Sequence, residues 1–298
     1  MQNAAVLLAS IPSPSSGDFD LPGPLPSVHA YGLTLLVAIV AAILVMRKRY
    51  RGPDGQPDTD LVLRAAVWGV AAGIVGARLY HVVTSWDDVP EPKWQGVFKV
   101  WEGGLGIWGG ILFGVLVGAI VIKRAGGSIL QAMDAVAPAL LLAQAIGRFG
   151  NWWNQELYGK PTDLPWGLEI DDAHNQDYPP GTTFHPTFLY EALWNFAGFF
   201  MLLIVDRRWK IRPPALFSLY VAWYTFGRFL LEQLRIDPSS MFWGMRLNAW
   251  VSLVLFIASS LFFIYWQIYD GQLPKLSFRR RRGAEKKRPA MAVPRGRR

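Results

Sequence analysis

The sequence contains no cysteine among its 298 residues, which excludes disulfide bonds, a cysteine nucleophile and cysteine-ligated metal sites. Charged residues are also scarce, at 17% of the chain, against about 25% in average soluble domains. The four histidines show no metal-ligand spacing. We therefore expect no metal site and no cofactor.

Hydrophobic residues are abundant, at 52% of the chain, and the mean hydropathy is +0.21. A membrane-spanning helix needs about 20 consecutive, mainly apolar residues. The sequence offers a series of such stretches, separated by polar loops. They lie at about residues 31–46, 61–84, 105–122, 129–147, 187–205, 215–231 and 247–268. This pattern predicts an all-α polytopic membrane protein with seven transmembrane helices.

Positive charge is distributed unevenly along the chain. Residues 270–298 hold 11 of the 30 lysine and arginine residues, so the net charge of +8 comes from this tail. A basic tail of this kind indicates contact with an anionic membrane surface, and we expect no nucleic acid partner. Alternate loops together with the tail hold 22 of the 30 basic residues. The positive-inside rule then predicts an outer N-terminus and a cytoplasmic C-terminus.

The predicted organisation has three parts. Residues 1–27 form an N-terminal extracytoplasmic segment, which lacks the basic start of a cleavable signal peptide. Residues 28–269 form the seven-span domain, and its segment 148–186, between spans four and five, is long enough for a small extracytoplasmic head. Residues 270–298 form a cytoplasmic tail that we expect to be disordered.

The most informative segment is residues 147–161, GRFGNWWNQELYGKP, which follows the fourth apolar stretch. It places Arg148 at the edge of the hydrocarbon region, where a charged side chain marks a functional site. Asn151, Asn154 and Glu156 follow within about two helical turns. Because a planar guanidinium suits a phosphate and aromatic rings suit lipid interfaces, the segment indicates a lipid-headgroup site.

Other arginines are predicted at the same outer depth. Arg78 lies late in the second span, and Arg228, Glu232 and Arg235 are spaced to form one stripe on the sixth. One interpretation is that each arginine pairs with a carboxylate to fasten helices together. The sequence shows few carboxylates at this depth, and we therefore expect an anionic lipid to supply the missing charge for Arg148 and Arg228.

At residues 147–161 the sequence closely resembles the signature of the bacterial prolipoprotein diacylglyceryl transferases. The resemblance extends over about residues 28–268 in order and spacing. Its shorter matches are HAYGL at 29–33, GGLGIWGG at 103–110, PWG at 165–167, HPTFLYE at 185–191 and GRFLLEQLR at 227–235.

The resemblance implies an enzyme of the bacterial plasma membrane with its active site towards the outer leaflet. It implies transfer of diacylglyceryl from phosphatidylglycerol to the lipobox cysteine of a preprolipoprotein signal peptide, with release of glycerol phosphate. The expected partners are therefore phosphatidylglycerol, the preprolipoprotein and membrane lipid. Two alternatives are a lipid transporter and a non-catalytic membrane scaffold. A transporter would predict two repeated halves, and the sequence shows no internal repeat. A scaffold would not explain the charge gathered at one depth.

The resemblance also implies roles for individual residues. Arg148 is expected to bind the phosphatidylglycerol phosphate, and Arg228 to stabilise the phosphate or the leaving group. Tyr31 and Glu156 are expected at the catalytic centre. The remaining substrate-binding candidates are Asn151, Asn154, Gly159, His185, Glu232 and Arg235.

One position departs from the family pattern. Many members have a histidine before the paired glycines of the third span, and this sequence has Trp108 there. The proton acceptor for the thiol is then Tyr31, His29, His185 or Glu156, or the thiol ionises beside the arginines without a dedicated base.

Overall fold

The computed structural model describes residues 10–19, 27–175 and 177–268, and this part of the chain is mostly helical. The basic tail predicted at residues 270–298 lies outside the described residues, as does most of segment 1–27. The helices in chain order are α1 (Ala30–Arg49), α2 (Thr59–Thr84), the short α3 (Lys93–Gly96), α4 (Ile107–Arg124), α5 (Ile129–Trp153), α6 (Thr187–Arg208), α7 (Ala215–Glu232) and α8 (Leu247–Ile268).

Six of these helices are long and apolar enough to cross a membrane, namely α1, α2, α4, α5, α6 and α8. They carry large apolar side chains on their outer faces, and Val67, Leu112 and Leu261 are each more than 60% exposed. Such surfaces are stable against lipid but costly in water. The predicted sixth span coincides with α7, an 18-residue helix that also contains Arg228 and Glu232.

Helices α2 and α4 form the closest helix pair, through glycines on both sides. Gly69 faces the carbonyl of Gly114, and Gly73 faces the carbonyl of Gly110. A Cβ atom at Gly69 would lie 3.2 Å from that carbonyl oxygen. The glycine-rich third span therefore allows the two backbones to approach closely, as packing in lipid favours.

Helix α5 lies at the centre of the helices that pack outside the α2–α4 pair. It packs against α1 on one side and against α6 and α7 on the other, and α8 packs on α7. Leu141 of α5, Leu202 of α6 and Leu216 of α7 are fully buried in a common apolar cluster. This packing fixes the end of α5 close to the start of α6 and the end of α7.

The strands are two-residue pairs that shape the loops around these helix ends. β1 (Asp18–Phe19) pairs with β2 (Val28–His29), β3 (Leu168–Glu169) with β4 (Thr183–Phe184), and β5 (Met241–Phe242) with β6 (Met245–Arg246), all antiparallel. Ile11 adds a parallel bridge to Leu168. Apolar side chains of the segment between α5 and α6 pack beneath these strands, around the buried ring of Phe184.

Candidate functional site

One buried carboxylate, Glu191, joins several arginines at one end of the bundle. Glu191 lies in the second turn of α6, and its side chain is only 5% exposed. Its Oε2 is 2.5 Å from Nη2 of Arg148, which lies in the last two turns of α5. Its Oε1 accepts a hydrogen bond of 3.2 Å from Nη1 of Arg228 on α7. Arg235 approaches the same oxygen at 4.0 Å.

A second group of charges extends this cluster towards the start of α8. Arg228 also pairs with Glu232 one turn later, at 2.8 Å, and Glu232 is fully buried. Arg246 donates to Glu232 at 2.7 Å and to Asp237 at 2.9 Å. Arg235 donates to Asp237 at 2.6 Å. The arginines are therefore held in fixed orientations by shared carboxylates.

The loop after α7 lies outside the spans, and its charges perturb one another. Burial alone would raise the pKa of Asp237, but hydrogen bonds and charge from Arg235 and Arg246 lower it below its ordinary value. Burial opposes the charged form of Arg235, yet the bond to Asp237 and the charges of Asp237 and Glu191 raise its pKa. The groups stay ionised near neutral pH.

The loop after α5 turns the Glu156 carboxylate back towards Arg148. Asn151 accepts from Arg148 at 3.2 Å and donates to Glu156 at 2.7 Å, while Asn154 reaches Glu156 at 3.5 Å. The residues on either side of Glu156, Gln155 and Leu157, have φ values of 49° and 59°. Non-glycine residues in this left-handed region are uncommon and often occur at functional sites.

Tyr31 lies on the neighbouring helix α1, against the end of α5. A Cβ atom at Gly150 would lie 2.5 Å from Cδ2 of Tyr31, so the ring packs directly on this glycine. The side chain remains accessible, with the residue 42% exposed. The Tyr31 ring therefore contacts α5 two residues after Arg148.

Gly159 is enclosed by two other segments of backbone. It forms an antiparallel bridge with Arg235 and donates to the carbonyl of His185 at 3.0 Å. A Cβ atom at Gly159 would lie 2.8 Å from Cβ of His185 and 3.1 Å from the carbonyl oxygen of Leu234. This glycine therefore lets the α5 loop, the start of α6 and the end of α7 lie side by side. The His185 ring contacts the Tyr190 hydroxyl at 3.2 Å.

Three residues considered from the sequence lie apart from the charge cluster. Trp108 begins α4 and is 66% exposed. His29 pairs with Asp18 at the protein surface. The Arg78 guanidinium donates to backbone carbonyls of the α2–α4 loop, among them those of Gly96 at 2.5 Å and Gly103 at 2.7 Å. Arg78 therefore holds this loop in place. Its partners are backbone carbonyls, whereas the sequence suggested a carboxylate or a lipid.

The expectation that carboxylates are too few at this depth is wrong. Arg148, Arg228, Arg235 and Arg246 each have a carboxylate partner. The sequence does not single out Glu191 as a site residue. It ends the HPTFLYE motif, but no local spacing links it to Arg148, 43 positions earlier. Arg246 lies outside the family motifs, so the sequence does not single it out.

The arrangement leaves donors for an anion. Among the described residues, the Nε–H edges of Arg148 and Arg228 have no hydrogen-bond partner, while their terminal nitrogens bond to carboxylates or to Asn151. Two fixed guanidinium groups around one carboxylate can therefore accept a phosphate without losing their orientation. The described residues contain no group of three His, Asp or Glu side chains able to hold a metal ion.

Comparison with known proteins identifies the family of the chain. The family model described as prolipoprotein diacylglyceryl transferase matches residues 19–265. A protein of Cutibacterium acnes named phosphatidylglycerol–prolipoprotein diacylglyceryl transferase is 48% identical over 266 residues, 88% of each chain. Proteins with the same name from Frankia alni (47% identical, 85% of this chain and 67% of theirs) and Streptomyces griseus (44%, 86% and 78%) are also similar. The chain belongs to the prolipoprotein diacylglyceryl transferase family.

Proposed function

We propose that this protein transfers the diacylglyceryl group of phosphatidylglycerol to the lipobox cysteine of a preprolipoprotein, the first step of lipoprotein maturation. The observation that carries the proposal is the pair of guanidinium groups, Arg148 and Arg228, fixed on one buried carboxylate at one end of a membrane bundle. Family membership supplies the reaction, and this geometry supplies a place for the phosphate of the donor lipid.

The chemistry needs a thiolate and a stabilised leaving group. The cysteine thiol loses its proton, and its sulfur attacks the carbon of the diacylglyceryl unit that carries the phosphate. The bond between this carbon and the phosphate oxygen breaks. The products are a thioether and glycerol phosphate. Arg148 binds the phosphate and Arg228 stabilises the charge that develops on the leaving oxygen. Because the nucleophile belongs to the substrate, the absence of cysteine from this chain is no obstacle.

The surrounding residues position these groups. Asn151 holds Arg148, and Glu156 is oriented by Asn151 and Asn154. We assign Tyr31 and Glu156 to the reaction centre as the groups available to receive the thiol proton or to orient the glycerol headgroup. Gly159, His185, Glu232 and Arg235 are assigned to the walls of the substrate site.

The reaction is tested by two replacements of one arginine. In an assay with phosphatidylglycerol and a synthetic lipobox peptide, Arg148→Ala should abolish product. Arg148→Lys should also fail, although it keeps the charge, because lysine lacks the planar fork that grips a phosphate. Near-normal turnover by the lysine variant would refute the assigned role. A Glu102→Gln variant, altered in an exposed loop, should retain full activity.

We further propose that α7 is a seventh span and that the site faces the outer leaflet of the plasma membrane. The distribution of basic residues supports this topology. Since the chain lacks cysteine, single cysteines can be introduced and labelled from outside with an impermeant maleimide. Ser240→Cys and Asp172→Cys should be labelled on intact cells, while Lys210→Cys should be protected. Equal labelling at positions 210 and 240 would refute α7 as a span.

A further inference from the structure

A polar cavity lies at the other end of the bundle, away from the arginine cluster. This inner-end pocket has a volume of about 920 Å³ and is formed where α1 and α6 flank α5. Asp134 on its floor and Arg148 are 14 positions apart on α5. At 1.5 Å per residue this separates the pocket from the site by about 21 Å.

The walls of the pocket divide into an apolar part and a basic rim. Leu44 of α1 and Phe199 and Leu203 of α6 line the part that extends into the bundle. Leu44 is 42% exposed, so this part opens sideways towards lipid. Lys48 and Arg207 form the rim at the helix ends, together with Arg51 in the following loop.

The acidic residues of the pocket are already engaged. Asp206 pairs with Arg49 at 3.3 Å. An oxygen of Asp134 accepts the backbone N–H of Phe217 at the start of α7, at 2.9 Å. Arg49 is also bound to the carbonyl of Asp134 at 3.2 Å. Arg49 therefore serves as a structural tie between the three helices and neutralises Asp206.

The rim cations have no comparable partners. Among the described residues, neither Lys48 nor Arg207 forms an ion pair, and Arg51 donates to the carbonyl of Gly55 at 3.1 Å. The basic tail at 270–298 has the same sign of charge as the rim and cannot neutralise it. This positive charge has no matching carboxylate and lies beside an apolar groove that opens to lipid. The pocket is therefore suited to an anion that carries an acyl chain.

We propose that the inner-end pocket binds an anionic phospholipid, with its phosphate at Lys48, Arg51 and Arg207 and one acyl chain along Leu203. This lipid is separate from the one consumed in the reaction. Its placement in the cytoplasmic leaflet rests on the proposed topology, whereas the pocket chemistry does not. A bound lipid would tie α1 to α6 across α5, at the end opposite the reaction.

The test measures lipid binding to the full chain in neutral detergent by native mass spectrometry. The probes are dioleoyl phosphatidylserine, dioleoyl phosphatidylcholine and inorganic phosphate. Each basic residue near an anionic lipid surface contributes a factor of about five in affinity. The double variant Lys48→Gln/Arg207→Gln should therefore bind phosphatidylserine about 25-fold more weakly. The matched control, Lys123→Gln/Arg124→Gln at the end of α4, should bind it like the unmodified protein.

A second variant addresses the groove. Leu203→Trp keeps every charge but fills the apolar wall, and it should also weaken phosphatidylserine binding. Equal binding of phosphatidylcholine and phosphatidylserine would overturn the proposal, as would equal losses in the two glutamine variants. Displacement of the lipid by inorganic phosphate alone would indicate a simple anion site and would also overturn it.

The readouts separate this lipid from the substrate. Phosphatidylserine bound at the arginine cluster should be lost in Arg148→Ala and kept in Lys48→Gln/Arg207→Gln. Transferase turnover of the Lys48→Gln/Arg207→Gln variant should match the unmodified protein. If no diacylglyceryl transfer is detected in any form, the proposed function fails, while the lipid-binding comparison still decides the inner-end pocket.

Discussion

Glu191 is the residue on which the arrangement of the site depends most. It contacts Arg148 at 2.5 Å and Arg228 at 3.2 Å, and its side chain is 5% exposed. The replacement Glu191→Gln keeps the size and shape of the side chain but removes its charge. Two guanidinium groups then face a neutral amide. The amide carries no negative charge to offset the repulsion between the two guanidinium groups.

The size of the effect follows from the contacts. Two unit charges 4 Å apart interact by about 4 kcal/mol at an effective dielectric constant of 20. Removing one partner of a buried ion pair typically costs about 3–5 kcal/mol. A loss of this size should lower the melting temperature by about 10 °C. Displacement of a catalytic group by about 1 Å can lower the rate by a factor of about 100. We therefore expect kcat/KM to fall by at least that factor.

The assay compares Glu191→Gln, Glu191→Asp and Glu102→Gln in thermal unfolding and in diacylglyceryl transfer. Glu102 pairs with Lys99 at 2.9 Å in a loop, with side chains 39% and 28% exposed. Loss of this exposed pair should cost less than about 1 kcal/mol. Glu191→Asp should recover part of the stability because it restores the charge. If Glu191→Gln matched Glu102→Gln in both measurements, Glu191 would not organise the arginines.

Three further predictions concern other parts of the site. Gly159→Ala should strongly reduce both stability and transfer, because the new Cβ would lie 2.8 Å from Cβ of His185. Asp237 has a lowered pKa, so its contribution to stability should be complete above its ordinary pKa near 3.8 and should fade as pH falls below that value. The pH dependence of unfolding should therefore weaken in Asp237→Asn. Trp108→Phe should retain transfer, because an indole N–H can only donate a hydrogen bond and cannot accept the thiol proton.

Each of these predictions has a clear contrary result. Normal melting and turnover of Gly159→Ala would mean that the three backbone segments can move apart freely. Gly118→Ala, whose Cβ would meet only the Ala65 carbonyl oxygen at 3.8 Å, provides the comparison. Identical acid unfolding of the Asp237→Asn variant and the unmodified protein would show that Asp237 does not contribute to the pH dependence of stability. A tenfold loss in Trp108→Phe would give Trp108 a role in substrate binding.

The helices could be predicted from the sequence because hydropathy is a local property. The apolar stretches at 31–46 and 129–147 correspond to α1 (Ala30–Arg49) and α5 (Ile129–Trp153). The helix α5 continues beyond the apolar run through Arg148 to Trp153, since polar residues can extend a helix past the hydrocarbon region. The end of the apolar run therefore does not coincide with the end of the helix.

The partners of the site residues were harder to predict. Arg148 and Arg228 were identified from their unusual positions, but Glu191 lies on a third helix and its approach depends on how α5, α6 and α7 pack. Carboxylate partners separated by tens of residues have no fixed spacing in sequence. By contrast, Arg228 and Glu232 are four residues apart on one helix, and their contact was predictable.

The most direct test of the proposed function is a transfer reaction with purified protein, phosphatidylglycerol and a synthetic lipobox peptide. The peptide mass and the released glycerol phosphate are measured together. We expect the peptide to gain one diacylglyceryl group for each glycerol phosphate released, and Arg148→Ala to give neither product. Folded protein that binds phosphatidylglycerol but leaves both lipid and peptide unchanged would contradict the assignment.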